Sequence, residues 1–307
     1  MKRFIIVISS LMIILAGCSN TSSTKDSSDS SNKNNPQPIG KMLNSKTRMI
    51  WFHTTGGPEK DAIIDTIYVS NSGKITTYVV YDGISVDDSS MLTLGNIQSL
   101  SDDNIINKAK QLNAITSNES LKQIISSMEY SIKSGENELM NSDKFIDGNY
   151  SETLTSPGGE KTKEQHLAEV TQGVKEAKAK AEELRNLNKK GHEMFDRTPI
   201  GVDINLTTDS TGNSVESESI SITKTVFNSN LQYSNLKHIG FFLLDTKKIN
   251  LNYNVNFSIY KGYYAGFSIN GNSKDLFIKK VKSNNESFGL DGLDNKYKNI
   301  SIDNENS

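Results

Sequence analysis

Leu251-Asn252-Tyr253-Asn254-Val255-Asn256-Phe257-Ser258-Ile259 is the stretch that speaks most directly about the fold. Apolar and polar residues alternate without a break. That period of two places Leu251, Tyr253, Val255, Phe257 and Ile259 on one face of a strand and the amides and a hydroxyl on the other. A strand of this kind is antiparallel, buried on one face and wet on the other. Its surroundings read alike: residues 201–208 and 215–227 flank the turn Asp209-Ser210-Thr211-Gly212-Asn213, and further runs lie at 239–244, 264–269 and 276–281. Residues 199–290 are expected to form an antiparallel β sheet or small sandwich, with a frayed tail over 291–307.

Upstream the period changes. Leu167, Val170, Val174, Ala177, Ala181 and Leu184 recur at spacings of three and four among Glu, Lys and Gln, which predicts a long amphipathic helix over 160–196. Its seam is narrow and alanine-rich, suited to packing on its own protein or to self-association, and Gly173 inside it costs about 1 kcal/mol relative to Ala. Residues 46–150 read as an α+β unit. A strand at 48–53 and the turn Gly56-Gly57-Pro58 precede a hairpin of 62–69 and 74–81 about Asn71-Ser72-Gly73. Two helices follow, one capped by Ser101 or Asp102 and carrying Ile105, Ile106, Ala109 and Leu112, the other capped by Ser117 or Asn118 and carrying Leu121, Ile124, Ile125, Met128 and Ile132. The expected fold class is α+β: a small N-terminal antiparallel sheet with helices, a long helix, then the C-terminal antiparallel sheet or small sandwich.

The amino end carries a different kind of signal. Lys2 and Arg3 precede an apolar run over 4–15 that closes in Leu15-Ala16-Gly17-Cys18. This resembles the lipobox of bacterial lipoproteins. The resemblance implies that 1–17 is a signal peptide cut between Gly17 and Cys18, and that the Cys18 thiol takes a diacylglyceryl group. Two acyl chains at roughly 0.8 kcal/mol per buried methylene anchor stably, whereas the run itself is too short to cross about 30 Å of hydrocarbon. The implied location is the extracytoplasmic face of the cell membrane. Residues 18–45, rich in Ser and Asn, read as a disordered tether with a reach of about 30 Å. The composition resembles that of lipoproteins from low-GC Gram-positive bacteria.

Cys18 is the sole cysteine, so neither an intrachain disulfide nor a cysteine metal site is available. The chain has 34 basic and 36 acidic residues, and loss of Lys2 and Arg3 leaves a formal charge of −4. Nucleic-acid binding, which depends on neutralising phosphates, has no support from that balance.

Catalytic patterns are sparse. His192-Glu193 opens like a zinc-protease motif, but Asp196 stands where the second histidine belongs. Ser221-Ile222-Thr223-Lys224 matches Ser-x-x-Lys, yet in a strand-like run and not at a helix start. His53, His166, His192 and His238 are scattered, so no metal or other cofactor is expected. Three features have binding potential. Tyr260, Tyr263 and Tyr264 cluster beside Gly262 and Gly266, where rings can stack on a sugar or a partner. Trp51 and His53 share a face of the first strand, and Glu216 and Glu218 share a face that reads as a solvated edge. The expected function is that of a non-catalytic lipoprotein binding an envelope protein or glycan. The alternatives are the solute-binding component of an importer, which calls for two α/β lobes, and a lipid-anchored envelope hydrolase or foldase.

Overall fold

The computed structural model describes residues 36–87, 89–141, 153–156, 159–189, 198–227 and 242–303. Their centre is a closed antiparallel barrel of eight strands: β2 (Met49–Thr55), β3 (Ile63–Asn71), β4 (Lys74–Val79), β7 (Ile200–Thr208), β8 (Val215–Phe227), β9 (Phe242–Ile259), β10 (Gly262–Ile269) and β11 (Asn272–Val281). The order around the barrel is β7-β4-β3-β2-β11-β10-β9-β8, and β8 returns to β7. The α+β arrangement of two separate sheets is thereby corrected. Strands from 46–150 and from 199–290 share one barrel, joined where Ile75 meets Ile200 and where Phe277 meets His53. The physical reason is edge satisfaction: a sheet made only of β2, β3 and β4 would leave two rows of backbone N–H and C=O groups unpaired, and closure removes both.

The interior is filled by side chains, as befits a small barrel. Trp51, Tyr68, Ile75, Val202, Ile204, Leu206, Ile220, Ile222, Phe267 and Phe277 form one buried cluster. Trp51 stacks on Phe277 with centroids 5.0 Å apart, and its indole N–H donates to Ser70 Oγ at 3.1 Å. The hairpin expected about Asn71-Ser72-Gly73 is present, with Ser72 and Gly73 both at positive φ, the two-residue turn that suits the strand twist.

The alternating run that opened the sequence reading does not keep its apolar row on one face. Between Phe267 and Ile269 β10 advances two residues while β9 advances three, from Asn254 to Leu251. This bulge divides the row. Ile249 and Leu251 point into the barrel, whereas Val255, Phe257 and Ile259 pack with an outer cluster. A bulge reverses the in/out assignment of every residue beyond it, and Tyr253, at the switch, is 77% exposed.

The outer cluster exists because a helix covers part of the barrel. The two helices expected over 101–132 are one, α2 (Asp102–Met140), capped by Ser101, whose Oγ accepts the Asn104 N–H. Its Ile105, Ala109 and Leu112 lie on Ile50, Phe52, Ile67, Tyr78 and Ile278. Because the strands alternate in direction, one end of the barrel carries the β3–β4, β7–β8 and β9–β10 turns; this is called the lower end, and its opposite the upper end. α2 starts low, where Arg48 pairs with Asp103 at 2.7 Å, and climbs to the end of β4, where Asn113 Oδ1 accepts the Val79 N–H and Thr116 Oγ1 donates to the Val79 carbonyl.

Beyond Thr116 the helix leaves the barrel. Leu121, Ile125, Met128 and Ile132 meet Val170, Val174, Ala177, Ala181 and Leu184 of α3 (Lys163–Lys189) in a cluster of their own. The pair forms an arm about 35 Å long at 1.5 Å per residue, with a short hairpin of β5 (Thr153–Ser156) and β6 (Gly159–Thr162) between its helices. The apolar row of α3 thus packs on α2 of the same chain, and Gly173 and Gly135 are both buried in the seam. Among the described residues no helix is long and apolar enough to cross a membrane.

The lower end is closed by segments from both chain ends. Within the expected tether, residues from Gln37 on are structured: β1 (Gln37–Pro38) pairs in parallel with β12 (Phe288–Gly289), and α1 (Ile39–Leu43) puts Ile39 and Leu43 fully into the interior cluster. Within the expected frayed tail, Asp291 is buried and β13 (Ile300–Ile302) runs parallel to β7. A few apolar residues in a polar stretch are enough for docking where a barrel end needs a lid.

Candidate functional sites at the two ends

Each end of the barrel holds a pair of ionisable side chains. At the upper end His53 Nδ1–H donates to Asp65 Oδ1 at 2.6 Å. His53 lies on β2, two residues from Trp51 and on the same inward face, in a cross-strand row with Phe277, Thr66 and Val79. Asp65 is placed by a second irregularity: His53 pairs with Thr66 but Thr54 pairs with Ile64, so Asp65 is the extra residue of a bulge on β3. The imidazole is buried and the carboxylate half-buried. A carboxylate on Nδ1 orients the ring and favours the tautomer with its proton on Nδ1, as in an oriented general base. Below them, burial raises the Tyr68 phenol well above its ordinary range, the Asp65 charge adds to the effect and a hydrogen bond with Thr66 opposes it, so Tyr68 stays protonated.

At the lower end Glu218 and Asp291 meet. Glu218 shares the inward face of β8 with Ile220 and Ile222 and is 2% exposed, so the solvated edge expected for Glu216 and Glu218 holds only for Glu216. Asp291 N–H donates to Glu218 Oε2 at 2.7 Å, and Asp291 Oδ2 accepts the Gly40 N–H of α1 at 2.5 Å. Asn295 Nδ2 donates to Asp291 Oδ1. Burial first and the charge of Asp291 second push the Glu218 carboxyl up to about 9. Asp291 is also raised by burial, against the pull of the Gly40 N–H. Burial and the neighbouring Asp291 charge thus favour the neutral, protonated form of Glu218. Gly40 is needed for close approach: a Cβ there would sit 2.6 Å from both Asp291 Oδ2 and Ile300 Cδ1. Nearby, Lys279 lies 5.9 Å from the Trp51 ring and 5.8 Å from that of Phe288, and burial lowers its ammonium.

The residues singled out from sequence fare unequally. Tyr260, Tyr263 and Tyr264 do not form one surface: Tyr264 is fully buried with its hydroxyl on the Leu94 carbonyl at 2.9 Å, Tyr263 is half-buried, and only Tyr260 is exposed, at a positive-φ turn. Trp51 is a core residue. Ser221 and Lys224 lie on β8, with Lys224 3.7 Å from Asp245 across to β9. His166 pairs with Glu138 across the arm at 2.5 Å. Gly17, Cys18, His192, Glu193, Asp196 and His238 lie outside the described residues. Among the described residues no three His, Cys, Asp or Glu side chains gather as metal ligands would.

Both pairs escaped the sequence reading because their members are brought together by bulges and by the closing of the barrel. Two faint signals were present. Asp65 interrupts a run of β-branched residues, and Glu218 keeps step with Ile220 and Ile222. Comparison with protein-family models, with curated proteins and with solved structures found no match to this chain.

Proposed function

We propose that the protein is a lipid-anchored lipoprotein of the extracytoplasmic membrane face, and that it binds an envelope protein or glycan through its helical arm without catalysing a reaction. The observation that carries this reading is the reach of the helical arm. α1, the first described helix after Cys18, sits at the lower end, while α2 climbs past Val79 and sends the arm beyond the upper end. The arm thus offers a surface of its own, clear of the barrel wall. Tyr130 on the arm is 77% exposed, an amphipathic ring of the kind enriched in binding surfaces. Surface pairs such as Arg185 with Glu129 and Lys178 with Glu136, both at 2.6 Å, hold the two helices in register.

The test has two parts. Cys18→Ala is expected to abolish acyl labelling and release the protein from membranes; undiminished labelling would sink the anchor. Crosslinking on intact cells, with mass spectrometry of what is captured by wild type and by Cys18→Ala, is expected to return an envelope partner that depends on the anchor. Transporter subunits in its place would favour the importer reading, although an antiparallel barrel does not offer the two α/β lobes that reading calls for.

A second reading, an anchored hydrolase or foldase, draws on His53 and Asp65, whose geometry suits proton transfer at Nε2. Turnover of an envelope-derived substrate that disappears in His53→Ala, with the fold intact, would favour it over the first.

A further inference from the structure

We infer that the Glu218–Asp291 pair is a proton latch on the α1 segment: a proton kept on Glu218 leaves Asp291 free to fasten residues 36–44 across the lower end of the barrel, and its loss at alkaline pH releases them. The geometry supplies each part. Asp291 is the hub, taking the Gly40 N–H of α1 on Oδ2 and the Asn295 amide on Oδ1 while its own N–H goes to Glu218 Oε2. Glu218 Oε1 is buried and meets no donor among the described residues. A buried oxygen without a partner costs far more on an ionised carboxylate than on a neutral acid, so the site favours the protonated form.

Among the described residues no cation pairs with either carboxyl: Lys279 on β11 lies over the Trp51 and Phe288 rings, and the segment that carries Asp291 adds only the Asn295 amide. β7 and β9 contribute Leu206 and Leu251 opposite Glu218, β13 contributes Ile300, and α1 contributes backbone N–H groups, with the Lys41 side chain exposed to solvent. Removing the proton therefore places two negative charges in a low-dielectric site with nothing to neutralise them. The strand cannot yield, because Glu218 is fixed in ladders on both sides. The five-residue helix α1 can: Asp291 is its polar tie, and Ile39 and Leu43 are its apolar ones. α1 is the movable part.

The linkage is that of an acid whose docked form holds its proton more tightly than the released form. Docking is then favoured at low pH and weakens as pH rises toward the docked value of about 9, by about tenfold in the opening constant for each pH unit within that window.

The experiment is hydrogen exchange by mass spectrometry on the full chain at pH 6, 8 and 10, following peptides that cover 36–45 and correcting for base-catalysed intrinsic exchange. Wild type is expected to lose protection there by about tenfold or more between pH 8 and 10, while Glu218→Gln, which keeps the shape but has no proton to lose, stays within about twofold. Unchanged wild-type protection, or a parallel loss in Glu218→Gln, would overturn the latch. Should Glu218→Gln fail to fold, carbon NMR of wild type labelled at glutamate carboxyls decides. One carboxyl titrating in step with the loss of protection supports the latch, and every glutamate titrating below about 6 removes it.

Discussion

The two ends of the barrel carry paired ionisable groups built from opposite chemistry. At the upper end an acid meets a base, a buried His53 with a half-buried Asp65 set by a β bulge. At the lower end an acid meets an acid, Glu218 with Asp291, under a lid made from both ends of the chain. The first arrangement tolerates the partial exposure of its carboxylate. The second requires water to be excluded and a proton to be retained. One barrel can hold both because the layer between them is apolar and aromatic: Trp51, Phe277, Tyr68 and Phe267.

That insulating layer is where the largest effect is expected. Phe277→Ala should cost about 3–5 kcal/mol in denaturant unfolding and disturb both ends together; a loss confined to one end would mean that the layer does not separate them. Gly40→Ala comes next, at about 1–3 kcal/mol from overpacking against Asp291 and Ile300. It should raise exchange in 36–45 while leaving the Val79 amide, at the other end, as protected as before. Increased exchange at both would break the comparison.

The pH response separates the ends further. Glu218 ionises near 4.5 when unfolded and near 9 when folded, so the folded state binds more protons across that window, and stability should fall as pH rises from about 4.5 to about 9. Melting temperatures across this range should show a negative slope in wild type that is reduced in Glu218→Gln; equal slopes would remove Glu218 from the account. His53→Ala should cost about 1.5–3 kcal/mol for a lost hydrogen bond to a carboxylate, with exchange at 36–45 unaltered. Smallest of all, Arg185→Ala breaks only surface pairs with Glu129 and Glu182 and should leave the unfolding midpoint unmoved, since exposed pairs of this kind contribute little.

Local structure was more legible in the sequence than its assembly. The Asn71-Ser72-Gly73 hairpin, the Ser101 cap and the helical row from Val170 to Leu184 are written in residues close together, and each is found. Closure was not, because the pairings of Ile75 with Ile200 and of Phe277 with His53 span more than a hundred residues and alternation names a face but never a neighbour. β2 and β7 show what was available. In β2 nearly every residue is buried because α2 covers its outer side, whereas β7 alternates because its outer side is wet. The bulge in β9 is the sharpest lesson. A run of five alternating apolar residues was divided between inside and outside by one extra residue that no local signal marks. The pairs at the two ends were hidden for the same reason, being products of a bulge and of closure.

On the proposed reading recognition belongs to the arm, and a photo-crosslinking amino acid placed at Tyr130 on the arm or at Thr211 in the β7–β8 turn tests that on intact cells. The account predicts specific envelope adducts from position 130 and none from position 211. Adducts from 211 alone, or equally from both, would contradict it.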